Sequence, residues 1–233
     1  MMGCPIGKRS LTIFTQGGKT SLKIQLALDR LSIEEAIEMG KKTQACVDIL
    51  EVGTSLIKDY GLESLSRIRA AFPHKVILAD LKTMDEGEYE FRAAFTHGAD
   101  LATVMGAASI DTVKICYRVA EEYGRSVMID LLETPKEKLE FLTCFPKAVF
   151  CLHTPKDSGI RELSQELKEF VHRYPQMRRL AVAGGIRLDD VPSLSAFPVE
   201  ILVVGSAISQ ERDPEAAARR FWAAVGNEGV RHV

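Results

Sequence analysis

Hydrophobic positions along this chain fall into short runs, separated by more polar segments with helical spacing. The runs are Ile24 to Leu28, Val47 to Val52, Val76 to Ala79, Leu101 to Met105, Ser126 to Ile129, Ala148 to Leu152, Leu180 to Ala183 and Ile201 to Val204. Short apolar runs of this kind suit strands buried on both faces, and their alternation with helices implies parallel pairing through crossover units.

The intervening segments carry helix punctuation. Ser32 followed three residues later by Glu35 forms a capping box, which satisfies free amides at a helix start, and that helix runs toward Lys42. Asp111 is the expected cap of a helix whose apolar positions Val113, Ile115, Cys116 and Val119 share a face and which stops near Gly124. Asp213 and Pro214 open the last helix, with proline in the first turn, where a missing amide costs nothing.

Eight strand-helix units, about 21 to 32 residues apart, predict an α/β fold of one domain: a (β/α)8 TIM barrel of eight parallel strands over residues 23–226. A doubly wound open sheet would use fewer strands and a nucleotide fingerprint. Residues 1–22 read as a flexible N-terminal extension and 227–233 as a C-terminal tail.

Composition and charge then remove alternatives. The chain has 233 residues, a length at which one barrel makes one core. Its 30 basic and 32 acidic residues are dispersed and give a net charge of −2, so no basic field exists for nucleic acid. No apolar run approaches the ~20 residues of a membrane span, and residues 1–21 lack the apolar block of a signal peptide, so a cytoplasmic location is expected. The five cysteines include no Cys-x-x-Cys pair, which argues against a disulfide framework and a thiolate zinc site. Cys46, Cys116 and Cys151 lie in apolar surroundings and read as buried thiols.

In a barrel the reactive groups sit where strands run into their following loops. Here Asp29, Glu51, Asp80, Lys82, Asp130 and His153 all stand at predicted strand ends. Any one of these carboxylates alone would read as a loop acid or helix cap, but so many converging on one mouth is costly unless a ligand or metal compensates them. Glu51 and Asp80 offer hard oxygen donors from adjacent strands, the way Mg²⁺ is usually held. Strand alternation places Lys82 on the same face as Asp80, and an ammonium there suits negative charge developing on a substrate oxygen, as in an enediolate. Asp85 follows after a short turn. His153 is the expected proton carrier, with Asp130 as its orienting partner. His74, His97, His172 and His232 read as loop or surface residues. Gly184 and Gly185, with Gly205 and Ser206, follow the last two strands, where many barrels bind a phosphate ester.

These residues resemble the orotidine-monophosphate-decarboxylase superfamily, and within it the branch of 3-hexulose-6-phosphate synthase and 3-keto-L-gulonate-6-phosphate decarboxylase. The resemblance runs from Lys23 to about Ala224 through Gln25-Leu-Ala-Leu-Asp29, Asp48-Ile-Leu-Glu-Val-Gly-Thr54, Ala79-Asp-Leu-Lys-Thr-Met-Asp85, Val182-Ala-Gly-Gly-Ile186 and Val204-Gly-Ser-Ala-Ile208. It implies that Glu51 and Asp80 bind Mg²⁺, that Asp29 contacts substrate hydroxyls, and that Lys82 stabilises an enediolate. It also implies a homodimer in which Asp85 reaches the neighbouring subunit's site.

Asp130, His153-Thr154 and Gly205-Ser206-Ala207-Ile208 resemble the synthase, which implies reversible addition of formaldehyde to D-ribulose 5-phosphate. The decarboxylase, acting on a phosphorylated hexulose, and a non-catalytic sugar-phosphate-binding barrel are the alternatives. Thr154 to Ile160 is shorter than the corresponding loop of the relatives, and Lys156 stands where the decarboxylase carries a basic residue.

Overall fold

In a computed structural model of the chain, residues 22–154 and 163–226 are described. The N-terminal extension up to residue 21, Lys156 and the loop after Thr154, His232 and the tail at 227–233 lie outside the described residues.

The first half of the chain runs β1 (Lys23–Leu28), α1 (Ile33–Thr43), β2 (Ile49–Val52), α2 (Thr54–Tyr60), α3 (Glu63–Ala71), β3 (Val76–Thr83), α4 (Gly87–Thr96), β4 (Leu101–Met105) and α5 (Ile110–Glu122). The second half runs β5 (Ser126–Asp130), α6 (Lys136–Leu142), β6 (Val149–His153), α7 (Leu163–Arg173), β7 (Leu180–Ala183), α8 (Val191–Leu194), β8 (Val199–Val204), α9 (Ser206–Ser209) and α10 (Pro214–Ala224). The strands pair in parallel in sequence order and β8 closes on β1, so the predicted eight-stranded barrel is present.

Strand alternation divides the core in two. Ile49, Leu78, Leu101, Met128, Val149, Cys151, Ala181, Ala183 and Ile201 fill the barrel interior. Their strand neighbours, such as Leu50, Ala79, Ala102, Ile129, Phe150, Val182 and Leu202, face outward and pack under the helices. This is why the strands are nearly uniformly buried and carry no polar stripe.

The capping box at Ser32 and Glu35 is formed, and the Asp213 side chain accepts from the Ala216 amide at the start of α10. The cap of α5 is Ser109, not Asp111: the Ser109 hydroxyl accepts from the Thr112 amide, two residues before the expected position. Cys46, Cys116 and Cys151 are buried free thiols.

The N-terminal mouth of the barrel is pinned by ion pairs. Asp100, buried at the start of β4, pairs with Arg69 and Arg125 and accepts from the Ile77 amide at 3.0 Å. No helix among the described residues is long and apolar enough to cross a membrane.

Candidate active site

The opposite mouth opens into a cavity of about 520 Å³, lined by residues from β1 through β8 and their following loops. Continuing the alternation upward places Glu51, Asp80, Lys82, Asp130 and His153 on its wall. Asp29, Gly184, Gly185, Gly205 and Ser206 line it as well, so the structure gathers every predicted site residue except Asp85. Asp85 is exposed on the turn between β3 and α4, outside this cavity.

Lys82 is the hub of the charged cluster. Its ammonium lies 3.1 Å from Asp80 Oδ2 and 2.9 Å from Asp130 Oδ2. Burial opposes its charge, but the two carboxylates outweigh that penalty and hold its pKa above the ordinary lysine value. The backbone at Lys82 is left-handed, with φ of 50°, a conformation that costs a non-glycine residue roughly 1–3 kcal/mol. Around it the β3–β4 register shifts, so that the stretch from Ala79 to Thr83 faces only Ala102 to Val104. The Lys82 amide donates to Thr103 Oγ1 at 2.9 Å, and that hydroxyl donates to Asp80 Oδ1 at 2.9 Å. Sequence alternation predicts the shared face but not this bulge.

Asp130, with its side chain 4% exposed, shares Oδ2 between Lys82 and the ring of His153, whose Nδ1 is 2.9 Å away. A carboxylate only accepts, so Nδ1 carries the hydrogen, and in the tautomer this selects, Nε2 is the acceptor. Burial alone would raise the Asp130 pKa, but the hydrogen bond from His153, the Lys82 charge and the Leu132 amide bring it down to about 2.

Glu51 and Asp80 are each 6% exposed. Burial first, then the negative charge of Asp80, push the Glu51 carboxyl up to about 8, while a hydrogen bond from Gln25 pulls the other way. Among the described residues no group of three or more His, Cys, Asp or Glu forms a closed metal cage. Two buried hard-oxygen carboxylates on adjacent strands, with the Asp80 charge disfavouring ionised Glu51, fit Mg²⁺, which commonly takes one or two carboxylates and fills its octahedron with water or substrate oxygens.

Asp29 lies just past β1, and its Oδ1 accepts from Ser55 Oγ at 2.9 Å. Gly53 makes room for it, because a Cβ there would stand 2.3 Å from Asp29 Oδ1 and 2.7 Å from the Leu28 carbonyl oxygen. At the far side Gly184 has φ of 96°, and a Cβ would meet the Thr154 carbonyl oxygen at 2.1 Å. Only glycine permits that approach of β7's end to β6's.

Sequence reasoning passed over Gln25, Thr54 and Thr103. Thr54 Oγ1 donates to Asp80 Oδ2 at 2.6 Å, and Gln25 Nε2 donates to Glu51 Oε2 at 2.5 Å. The available signal was a polar residue at an inward position of an otherwise apolar strand, clearest for Gln25 in Lys23-Ile-Gln-Leu-Ala-Leu28.

A closed barrel with a lysine, paired carboxylates and an oriented histidine at its C-terminal mouth is the arrangement of a (β/α)8-barrel enzyme. Residues 22–221 match the orotidine 5'-phosphate decarboxylase / HUMPS family, and the chain belongs to it. Among its relatives, the 3-hexulose-6-phosphate synthase of Mycobacterium gastri is 33% identical over 207 residues, covering 88% of this chain and 100% of that one. The 3-hexulose-6-phosphate synthase of Bacillus subtilis (strain 168) is 31% identical over 203 residues, covering 86% of this chain and 97% of that one. The crystal structure of 3-hexulose-6-phosphate synthase from Salmonella typhimurium superposes with a TM-score of 0.82 at 33% identity, over 87% of this chain and 98% of that one.

Proposed function

We propose that this chain is a 3-hexulose-6-phosphate synthase, a lyase that joins formaldehyde reversibly to D-ribulose 5-phosphate. The observation that carries this reading is the Lys82–Asp130–His153 chain of contacts, in a barrel whose similar relatives bear that name.

His153 is the base. With Nδ1–H held by Asp130, Nε2 of this cavity-lining ring is left as the acceptor that takes the C1 proton of the sugar phosphate. The electron pair released forms an enediolate, whose C1 attacks the carbon of formaldehyde. The aldehyde oxygen then takes the proton back from His153 Nε2 and becomes the new hydroxyl, which restores the base. Lys82 stays charged between Asp80 and Asp130 and stabilises the negative charge developing on the substrate oxygen. Glu51 and Asp80 would hold Mg²⁺, which supplies Lewis-acid polarisation of the substrate carbonyl.

Asp29 binds substrate hydroxyls, and the backbone turns at Gly184, Gly185, Gly205 and Ser206 receive the phosphate. Asp85, exposed outside its own cavity, serves the site of a second copy in a homodimer.

The test is formaldehyde consumption by the purified protein with D-ribulose 5-phosphate, with Mg²⁺ and with EDTA, beside carbon dioxide release from 3-keto-L-gulonate 6-phosphate. Mg²⁺-dependent loss of formaldehyde is the expected result. Carbon dioxide release without formaldehyde consumption would move the assignment to the decarboxylase, and inactivity in both would overturn the catalytic reading.

A further inference from the structure

Gln25 is out of place by the rules that govern the rest of the barrel interior. It points inward from the middle of β1, is 1% exposed, and is paired in register with Ile49 on one side and Val203 on the other. Its two neighbours are apolar lining residues, so a leucine or methionine would suit the position better on packing grounds alone.

Its amide is only half satisfied. Nε2 donates to Glu51 Oε2 at 2.5 Å across the β1–β2 pair, while Oε1 is buried with no partner among the described residues. Glu51 Oε2 accepts from the amide nitrogen, which leaves the amide oxygen turned into the barrel. The orphaned Oε1 is therefore the consequence of holding Glu51, and it costs stability. A polar residue placed here against both packing and hydrogen-bond satisfaction points to a role at the site it touches.

We propose that Gln25 is a positioning residue for the cation site: its amide fixes the Glu51 carboxylate by Oε2, so that the remaining oxygen is presented beside Asp80. This rests on the assignment of Glu51 and Asp80 as Mg²⁺ ligands and is independent of which sugar phosphate the enzyme uses. Thr54, at the start of α2, and Thr103, on β4, donate to Asp80 Oδ2 and Oδ1, so both carboxylates are oriented by neutral donors from neighbouring elements. Groups that orient metal ligands in this way typically change metal affinity by about 10- to 100-fold when removed.

The experiment is titration of the full chain, without substrate, with Mg²⁺ by calorimetry and with Mn²⁺ by electron paramagnetic resonance, comparing wild type with Gln25→Met and Gln25→Leu. Thermal melts of the same metal-free samples report folding. The expected result is metal affinity lower by about 10- to 100-fold in both variants, with a melting temperature equal to or above that of the wild type, because the orphaned oxygen has gone. In a Glu51→Gln background, Gln25→Met should leave the residual affinity unchanged, since the carboxylate it orients is absent. Affinity within twofold of wild type in either folded variant, or an equal loss in the Glu51→Gln background, would overturn the proposal. A wild-type chain that binds neither cation would overturn it together with the metal assignment, while formaldehyde consumption would still decide the synthase reading.

Discussion

The Nδ1 atom of His153 lies 2.9 Å from Oδ2 of Asp130 on the neighbouring strand, which fixes both the hydrogen on Nδ1 and the direction of the ring. Asp130→Asn removes that fixed acceptor and lets the amide nitrogen stabilise the opposite tautomer, with Nε2 protonated. Exchange of the C1 hydrogen of D-ribulose 5-phosphate in deuterium oxide, without formaldehyde, should slow by about 10²- to 10⁴-fold. The carboxyl also contributes to stability. Its pKa falls from 3.8 to about 2 in the fold, on the order of 2 kcal/mol, which is present above pH 4 and lost as pH falls through 2. The gap in melting temperature between wild type and variant should therefore close over that window, and an unchanged exchange rate would exclude His153 as the oriented base.

Much of this arrangement is legible in the sequence because two periodicities do the placing. Once Glu51, Asp80, Asp130 and His153 are seen to sit at inward positions of β2, β3, β5 and β6, closure of the barrel brings them together without further information. What stays hidden depends on contacts between distant segments. The left-handed turn at Lys82 arises from the bulge against β4, and Thr103, an unremarkable strand residue, becomes a partner of both Lys82 and Asp80 only through that bulge. The α5 cap illustrates the same limit at short range: both Ser109 and Asp111 are capping residues by type, and the backbone path decides between them.

Glu51 carries opposite consequences for stability and for activity. It is buried beside Asp80, and burial together with the Asp80 charge disfavours its ionised form in spite of the nearby Lys82, so Glu51→Gln removes that penalty while keeping the side chain's shape. Metal-free Glu51→Gln should melt above metal-free wild type, yet lose the turnover that, on the proposed metal assignment, EDTA should abolish and Mg²⁺ should restore in the wild type. Full turnover by the variant would refute the metal assignment.

Gly53 is the cheapest place to disturb Asp29 without touching a charge. Its φ is −65°, so alanine meets no backbone strain, but the new Cβ would stand 2.3 Å from Asp29 Oδ1 and 2.7 Å from the Leu28 carbonyl oxygen. The carbonyl belongs to β1 and yields little, so Asp29 must move. Gly53→Ala should cost about 1–3 kcal/mol in urea unfolding and raise the KM for the sugar phosphate. An unaltered KM would remove Asp29 from the substrate contacts.

Asp100 provides the contrasting case at the barrel's other end. It pairs with both Arg69 and Arg125 and holds the Ile77 amide, outside the cavity lining. Asp100→Ala leaves two partly buried guanidinium groups without their shared partner, so unfolding free energy should fall by about 3–5 kcal/mol. The kcat per folded molecule should be unchanged, because the N-terminal mouth of such a barrel serves stability. A variant that keeps its stability would show that the two arginines find other partners.

The position of Asp85 sets a test of whether sites are shared. Asp85 is exposed beyond its own cavity, whereas Lys82, three residues earlier, is inside it. If Asp85 completes the site of a second copy, Asp85→Ala and Lys82→Met proteins should each be nearly inactive alone. After unfolding and refolding together in equal amounts, half of the dimers would be mixed. Each mixed dimer would carry one site with both defects and one site with neither, so the sample should recover about one quarter of wild-type activity. Sites complete within one chain would leave the mixture at the average of its two parents, because no pairing could restore a missing lysine. Sedimentation of the same samples checks the premise: recovered activity requires dimers, and a monomer at assay concentration would rule out the shared site.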